Sequence, residues 1–335
     1  MPRRGRLHIP GGCYHVIGRG LERRFIFEDA DDKRDFLSRF GDSLRRNDAQ
    51  CLAWALMSNH YHFLIRAGTR PLGKLMAPVL GGFAGNYNRR HSRSGYVFQN
   101  RFSSILCDEE RYLLELVRYI HLNPVRARMI DSLTGLKKYP WTGHAGILGR
   151  HKQKWHLVDE VLLHFGANRR RARERYVTFL QAGISTSNRA VLSGGGLVRS
   201  YGGWEQISQL RKEHIFCIGD ERILGDSRFV ERVLKADELA IELKSRLAQD
   251  GWNLDRLVES VCQFYEISYS SLFDRSRKGS VSKAKAVICF MGVEKLGLNS
   301  SEIATRLRIS QPAVSRWISK GREIDRDAGC PELFT

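Results

Sequence analysis

His60-Tyr61-His62 closes the apolar run Cys51-Leu-Ala-Trp-Ala-Leu-Met-Ser-Asn-His-Tyr-His-Phe-Leu-Ile65. On a strand, side chains two apart point to the same face, about 7 Å from each other at the backbone. Two imidazoles so placed can hold one divalent cation between them. With 11 histidines in 335 residues, chance alone supplies about 0.4 such pairs per chain, so the pair needs context. That context is Arg118-Tyr119-Ile-His-Leu-Asn123-Pro-Val-Arg126-Ala127. Tyr119 ends a helical pattern, and a tyrosine phenolate is a good covalent nucleophile toward a phosphodiester. Its phosphate ester keeps the energy of the broken link, so the step can be reversed into rejoining. A cation beside it would polarise a non-bridging phosphate oxygen and steady the leaving 3′-oxygen. Asn123, one helical turn past Tyr119, offers a third, oxygen ligand. Two imidazoles and a carboxamide suit Mg²⁺ or Mn²⁺ better than structural zinc.

The same residues have plainer readings. His60 and His62 also read as half-buried sheet histidines bonded to backbone, and Tyr119 as a core aromatic of an amphipathic helix. Asn123-Pro124 also fits the N-cap and first position of a new helix, 124–130. That geometry would take Asn123 out of the Tyr119 helix.

The elements that must position these groups follow from periodicity. Residues 13–20 read as a strand ended by glycines, and 30–47 as a helix with Phe36, Leu37, Phe40 and Leu44 on one face. Strands 51–57 and 60–66 form a hairpin through Ser58-Asn59. Leu72 to His91 reads as a helix despite three glycines, Gly95 to Cys107 as extended, and Glu109 to Leu122 as a helix with Leu113, Leu116, Val117 and Ile120 inward. The order β-α-β-β-α-β-α predicts a ferredoxin-like α+β sandwich, an antiparallel sheet with helices on it. Two more helices are expected in 155–182, the second opening at Asn168. Residues 185–203 form a Gly-rich linker by composition, and the chain beyond 228 is all helical.

His60-Tyr61-His62 followed by Tyr119 resembles the single-tyrosine transposases of the HUH endonuclease superfamily. Arg118 to Ala127 resembles in particular the REP-associated, IS200-like branch. Tyr14-His-Val-Ile-Gly-Arg-Gly20 and Gly95-Tyr-Val-Phe-Gln-Asn-Arg101-Phe are further matches, and the resemblance covers residues 1 to about 150. It implies that His60, His62 and Asn123 bind the metal, and that Tyr119 cleaves single-stranded DNA and becomes linked to its 5′-phosphate. It also implies a hairpin substrate with a single-stranded flank, and a homodimer. Insertion-sequence members often carry Gln where this chain has Asn123, which implies a changed metal affinity.

The bulk composition agrees with an anionic partner. Fifty-five basic against 36 acidic residues give +19, which points to a polyanion. Nucleic acid is favoured over membrane, because no apolar stretch approaches the roughly 20 residues of a spanning helix. Arg19, Arg23, Arg24, Arg89, Arg90, Arg101, Arg126 and Arg128 are candidate phosphate contacts, and Tyr87, Tyr96, Phe98 and Phe102 candidate stacking partners for bases. Seven cysteines without a Cys-x-x-Cys pair, and a basic start without an apolar segment behind it, predict reduced core thiols in a cytoplasmic, nucleoid-associated protein.

Toward the C-terminus, Asn299-Ser-Ser-Glu302 has capping-box spacing. A short helix 303–307, a turn 308–310 and a helix from Gln311 follow, with Leu307, Ile309, Val314 and Ile318 as shared core and Ala304 allowing a close crossing. This is a helix-turn-helix pattern. Gln311, Ser315 and Arg316 would face duplex DNA. Residues 250–324 also resemble the C-terminal domain of the bacterial replication initiator, through Arg275-Ser-Arg277-Lys278 and a helix Ser282–Leu296, with Ser310-Gln311-Pro312 in place of that family's Asp-His signature. The domains expected are therefore 1–150 for the HUH nuclease, 151–228 for a helical connector and 229–335 for an all-α DNA-binding domain. The function expected is a transposase-type strand transferase. Its rival is a domesticated DNA-binding regulator whose nuclease chemistry is lost.

Overall fold

The computed structural model describes residues 5–184, 218–273, 279–328 and 333–334. The 185–203 linker, Arg275-Ser-Arg277-Lys278, Cys217 and Cys330 lie outside the described residues. Contacts divide the chain into Met1–Arg232 and Val233–Thr335.

The first unit is built on a five-stranded sheet in the order β2-β3-β1-β4-β5. Its strands are β1 (Cys13–Arg19), β2 (Gln50–Leu56), β3 (His60–Arg66), β4 (Ser103–Cys107) and β5 (Ile223–Leu224). β1 pairs antiparallel with both β3 and β4, and β2 with β3. The first four strands thus have the order and directions of a ferredoxin-like sandwich. Two features depart from the expectation. β5 adds to the edge in parallel with β4, and helices cover both faces of the sheet rather than one. Only 103–107 of the stretch 95–107 is strand; its earlier part bridges Gly20, just past β1, through Phe98.

Alternation along the strands separates the two faces chemically. Tyr14, Val16 and Gly18 face the same way as their partners Ile65, Phe63 and Tyr61. That face is covered by α1 (Ala30–Arg46) and α2 (Leu72–Arg90), which supply Phe36, Phe40 and Phe83. Phe40 stacks on Phe63 with centroids 3.8 Å apart, and Phe36 meets Phe83 edge-on at 5.1 Å. The ring of Tyr61 crosses β1 at residue 18, where a Cβ would stand 2.3 Å from its hydroxyl. Only glycine fits there.

The opposite face presents Cys13, His15, Ile17 and Arg19 beside Arg66, Leu64, His62 and His60. It is covered by α3 (Glu109–Arg126). Leu113, Leu116, Val117 and Ile120 recur at helical spacing and pack on Cys13, Ala53, Ala55, Leu64, Ile105 and Cys107. Ala53 and Ala55 leave room for the helix to approach. Arg66 at the end of β3 makes ion pairs with Glu109 at the start of α3 and with Glu160, fixing the helix against the sheet.

The short helices α4 (Leu133–Lys138), α5 (Gly143–Ile147), α6 (Val158–Leu163) and α7 (Arg169–Ala182) follow. Asn168 caps α7 as its type suggests, accepting from the amides of Arg170 and Arg171 at 3.1 Å. Val161, Leu162, Ala172, Tyr176 and Leu180 join the same core as α3. The compact unit therefore runs beyond residue 150.

The second unit is helical: α8 (Ser227–Gln249, which starts before the boundary), α9 (Leu254–Phe264), α10 (Ser280–Phe290), α11 (Ser300–Arg306) and α12 (Gln311–Ala328). Leu307, Val314 and Ile318 are buried, with Ile309 packed against them. Asn299 sits at the N-cap of α11 but makes no side-chain cap bond, so the capping box is not closed. The turn into α12 passes through Arg308 at φ 51°. A tight crossing also occurs where α12 meets α10: a Cβ on Gly321 would lie 2.4 Å from the Ala286 carbonyl.

Five cysteines, 13, 51, 107, 262 and 289, are buried and form no disulfide. Among the described residues no helix is long and apolar enough to cross a membrane.

Candidate metal and tyrosine site

His60 and His62 project from β3 toward α3, their ring centroids 5.0 Å apart. The strand alternation that predicted a shared face is what brings them together. Tyr119, one of the half-buried residues of α3, lies edge-on to His62 with centroids 5.7 Å apart. Tyr119, nearly sixty residues further along the chain, thus converges with the strand pair His60 and His62 at one end of the sheet.

A third imidazole joins them. His15 on β1 pairs with Leu64 and is therefore the diagonal neighbour of His62. Its Nε2 lies 2.9 Å from His62 Nδ1, the two rings stack at 5.1 Å, and its ring is 5.8 Å from that of Tyr119. Sequence reasoning gave His15 no role. The available signal was its parity with Arg19, which sets it on the strand face opposite Tyr14 and Val16.

Each candidate ligand has one ring nitrogen already engaged. His60 Nδ1 is 2.7 Å from Asn59 Oδ1, and His62 Nδ1 meets His15. Only Nε2 of each ring remains for a cation, and such partners on the far nitrogen are typical of histidine ligands. Burial, and then the nearby Arg19 guanidinium, pushes His60 down to about 4. Burial, followed by His15, His60 and Arg19, holds His62 well below the usual histidine range. Both rings are therefore neutral near pH 7, with a lone pair to give. This donor chemistry fits a divalent cation.

Asn123 belongs to the same helix as Tyr119, because α3 runs unbroken through Pro124 to Arg126. The reading of Asn123 as N-cap of a separate helix 124–130 is corrected by this. Asn123 donates from Nδ2 to the Tyr119 carbonyl at 3.1 Å, and its own carbonyl accepts from the Ala127 amide at 2.8 Å. Pro124 removes one intrahelical donor, yet the helix runs on to Arg126, and past its end the Pro124 carbonyl accepts from the Met129 amide at 2.9 Å.

The basic residues separate into groups. Arg19, Arg23, Arg24, Arg89, Arg101 and Arg128 are exposed; Arg24 pairs with Glu22 at 2.8 Å. Arg90 is corrected to a structural role: it holds Asp29 and Asp32 at the start of α1. Asp29, Asp32 and His91 form a grouping with metal-ligand spacing, but its carboxylates already bind Arg90 and His91. Arg126 is half-buried, donates to the Gly183 carbonyl at 3.1 Å and lies over the Tyr119 ring at 5.7 Å. Of the aromatic candidates, Tyr87 is fully buried with its hydroxyl donating to Glu28 at 2.7 Å, and Phe102 is buried under Arg6. Phe98 packs on Tyr61 and Phe83. Tyr96 remains 82% exposed, and Phe25, which sequence reasoning passed over, 60%. In the second unit Gln311 and Arg316 are exposed, whereas Ser315 is buried, so Ser315 is corrected to an inward-facing residue.

Two neutral imidazoles on one strand face, with a helical tyrosine beside them, form a candidate metal-and-tyrosine site on an α+β sandwich. Residues 10–123 match the family model described as Transposase IS200 like, a span that takes in His15, His60, His62, Tyr119 and Asn123. That segment is similar in sequence to the IS200-like transposases; the rest of the chain lies outside the match. A solved structure of a REP-associated tyrosine transposase bound to a REP hairpin is similar to 46% of this chain and 88% of its own, at 16% identity and a TM-score of 0.39. No curated protein matches.

Proposed function

We propose that this chain is a metal-dependent transposase-type enzyme that cleaves and rejoins single-stranded DNA through a 5′-phosphotyrosine link at Tyr119. The observation that carries this reading is the placement of Tyr119 against His62, whose Nε2 is the one ring nitrogen left for a ligand. Tyr119 loses its phenol proton to solvent and its oxygen attacks phosphorus; the bond to the 3′-oxygen breaks, and that oxygen takes up a proton. α3 holds the phenol in place, being pinned by Arg66 and by its apolar stripe. His60 and His62, with Asn123 as oxygen donor, would hold Mg²⁺ or Mn²⁺, which supplies Lewis acidity toward the phosphate. Rejoining is the same step reversed, with a second 3′-hydroxyl attacking the tyrosyl ester.

Arg19, Arg23, Arg89, Arg101 and Arg128 would grip phosphates, while Tyr96 and Phe25 stack on bases. The preferred substrate is a hairpin with a single-stranded flank, and the working form a homodimer. The exposed Gln311 and Arg316 of α12 would meet duplex DNA as in a helix-turn-helix protein. A labelled hairpin oligonucleotide incubated with Mn²⁺ tests the reading on a denaturing gel. It requires a protein–DNA adduct that vanishes with chelator and in Tyr119→Phe. Binding of DNA by the wild type with no adduct on any hairpin would instead favour a regulator without nuclease activity.

A further inference from the structure

Asn59, in the turn between β2 and β3, joins His60 to the loop that follows β1. Its Nδ2 donates to the Arg23 carbonyl at 2.9 Å, and its Oδ1 lies 2.7 Å from His60 Nδ1. Its backbone carbonyl accepts from the Gly20 amide at 2.8 Å. A carbonyl only accepts, so the Arg23 contact fixes which end of the carboxamide is nitrogen. The oxygen therefore faces His60, and it too only accepts. His60 Nδ1 must then carry the ring proton, leaving the lone pair on Nε2. The loop on the other side of this clamp is strained: Glu22 and Arg23 both lie in the left-handed region, at φ 52° and 63°.

We infer that Asn59 is a positioning residue that locks His60 in the Nδ1–H tautomer, so that Nε2 is ready for a divalent cation, and ties this ring to the Leu21–Arg24 loop. The inference rests on the metal-site reading above, but its first consequence concerns the protein without metal. In wild type, ¹⁵N-resolved spectra of the metal-free chain near pH 7 should show His60 protonated at Nδ1 alone. In Asn59→Ala the ring should populate both tautomers. Mn²⁺ binding by calorimetry should then weaken by about 10- to 100-fold, as for other lost partners of histidine ligands.

Asn59→Asp separates this role from simple turn stability. It keeps an acceptor toward His60 while losing the donor to Arg23, so it should retain the Nδ1–H form and bind Mn²⁺ within about threefold of wild type. Equal weakening in both variants, at unchanged melting temperature, would overturn the inference. So would a wild-type His60 protonated at Nε2. Absence of Mn²⁺ binding by wild type with His60 still Nδ1–H would sink the metal reading and leave the tautomer lock standing.

Discussion

His15, His60 and His62 stand along one face of the sheet beside Tyr119, whereas His121, His144 and His156 lie in the core shared by α3, α5 and α7. Both triplets are buried to some degree, yet they are wired differently. In the first, side chains engage Nδ1 of His60 and His62, so that Nε2 is the ring nitrogen a cation would take. In the second, the Tyr176 hydroxyl bridges Nδ1 of His121 at 2.8 Å and of His144 at 2.9 Å, and His156 donates from Nε2 to the Leu52 carbonyl at 3.1 Å. One hydroxyl proton serves only one of two rings, so the other ring must donate. Among the described residues, His121 Nε2, His144 Nε2 and His156 Nδ1 are buried with no partner. A Cβ on Gly143 would come within 2.5 Å of His121 Nε2, so the second triplet is closed by packing. Imidazole count alone does not make a site; access and the direction of the remaining lone pair do.

Four outcomes would sharpen or break this contrast. Tyr119→Phe should lower single-strand cleavage by at least about 10⁴-fold, the scale of losing a covalent nucleophile, with melting temperature little changed; a rate assay on the hairpin substrate decides it. His62→Ala should weaken Mn²⁺ binding by at least about 100-fold, whereas His144→Ala should leave it unchanged and lower stability instead. Calorimetric titration paired with denaturant unfolding reads both, and loss of metal affinity in both variants would erase the distinction.

Acid should act through the buried neutral rings, His60 and His62 as well as the closed triplet. Burial pushes His144 and His156 down to about 4, and His121 well below the usual range. Unfolded histidine titrates near 6.5, so above that pH neither state takes a proton on these rings. Below about 6.5 the unfolded chain protonates first, and stability falls as pH drops toward 4. Each ring contributes up to about 1.4 kcal/mol per pH unit in that window. Urea unfolding between pH 7 and 4.5 should show this slope, reduced in His144→Gln; a flat profile would mean these rings are not buried neutral. The smallest effect belongs to the surface: Arg23→Ala should reduce the slope of log affinity against log salt for hairpin DNA by about 1.

Much of this was readable in the residues. The β2–β3 hairpin, the shared face of His60 and His62, and the inward stripe of α3 follow from periodicities of two and 3.6. What escaped depended on register or on long-range packing. His15 becomes a neighbour of His62 only once β1 pairs with β3 in its observed offset. The Asn123-Pro124 step looked like a helix boundary because proline disfavours helix before it, but packing of Leu122 and its neighbours carries α3 through. Asn59 looked like an ordinary turn residue, since its two side-chain partners are fixed by a loop nearly forty residues away and by the next residue in sequence. The burial of Ser315 and the capture of Arg90 by Asp29 and Asp32 depend likewise on contacts that local pattern does not carry.

The central claim is that the phenol of Tyr119 is the group that takes the phosphate. Wild-type protein trapped on a hairpin oligonucleotide with Mn²⁺, digested by nuclease and protease, can be mapped by peptide mass. The account predicts nucleotide mass on the peptide containing Tyr119, at the tyrosine. Nucleotide found on any other residue, or an adduct of equal yield in Tyr119→Phe, would contradict it.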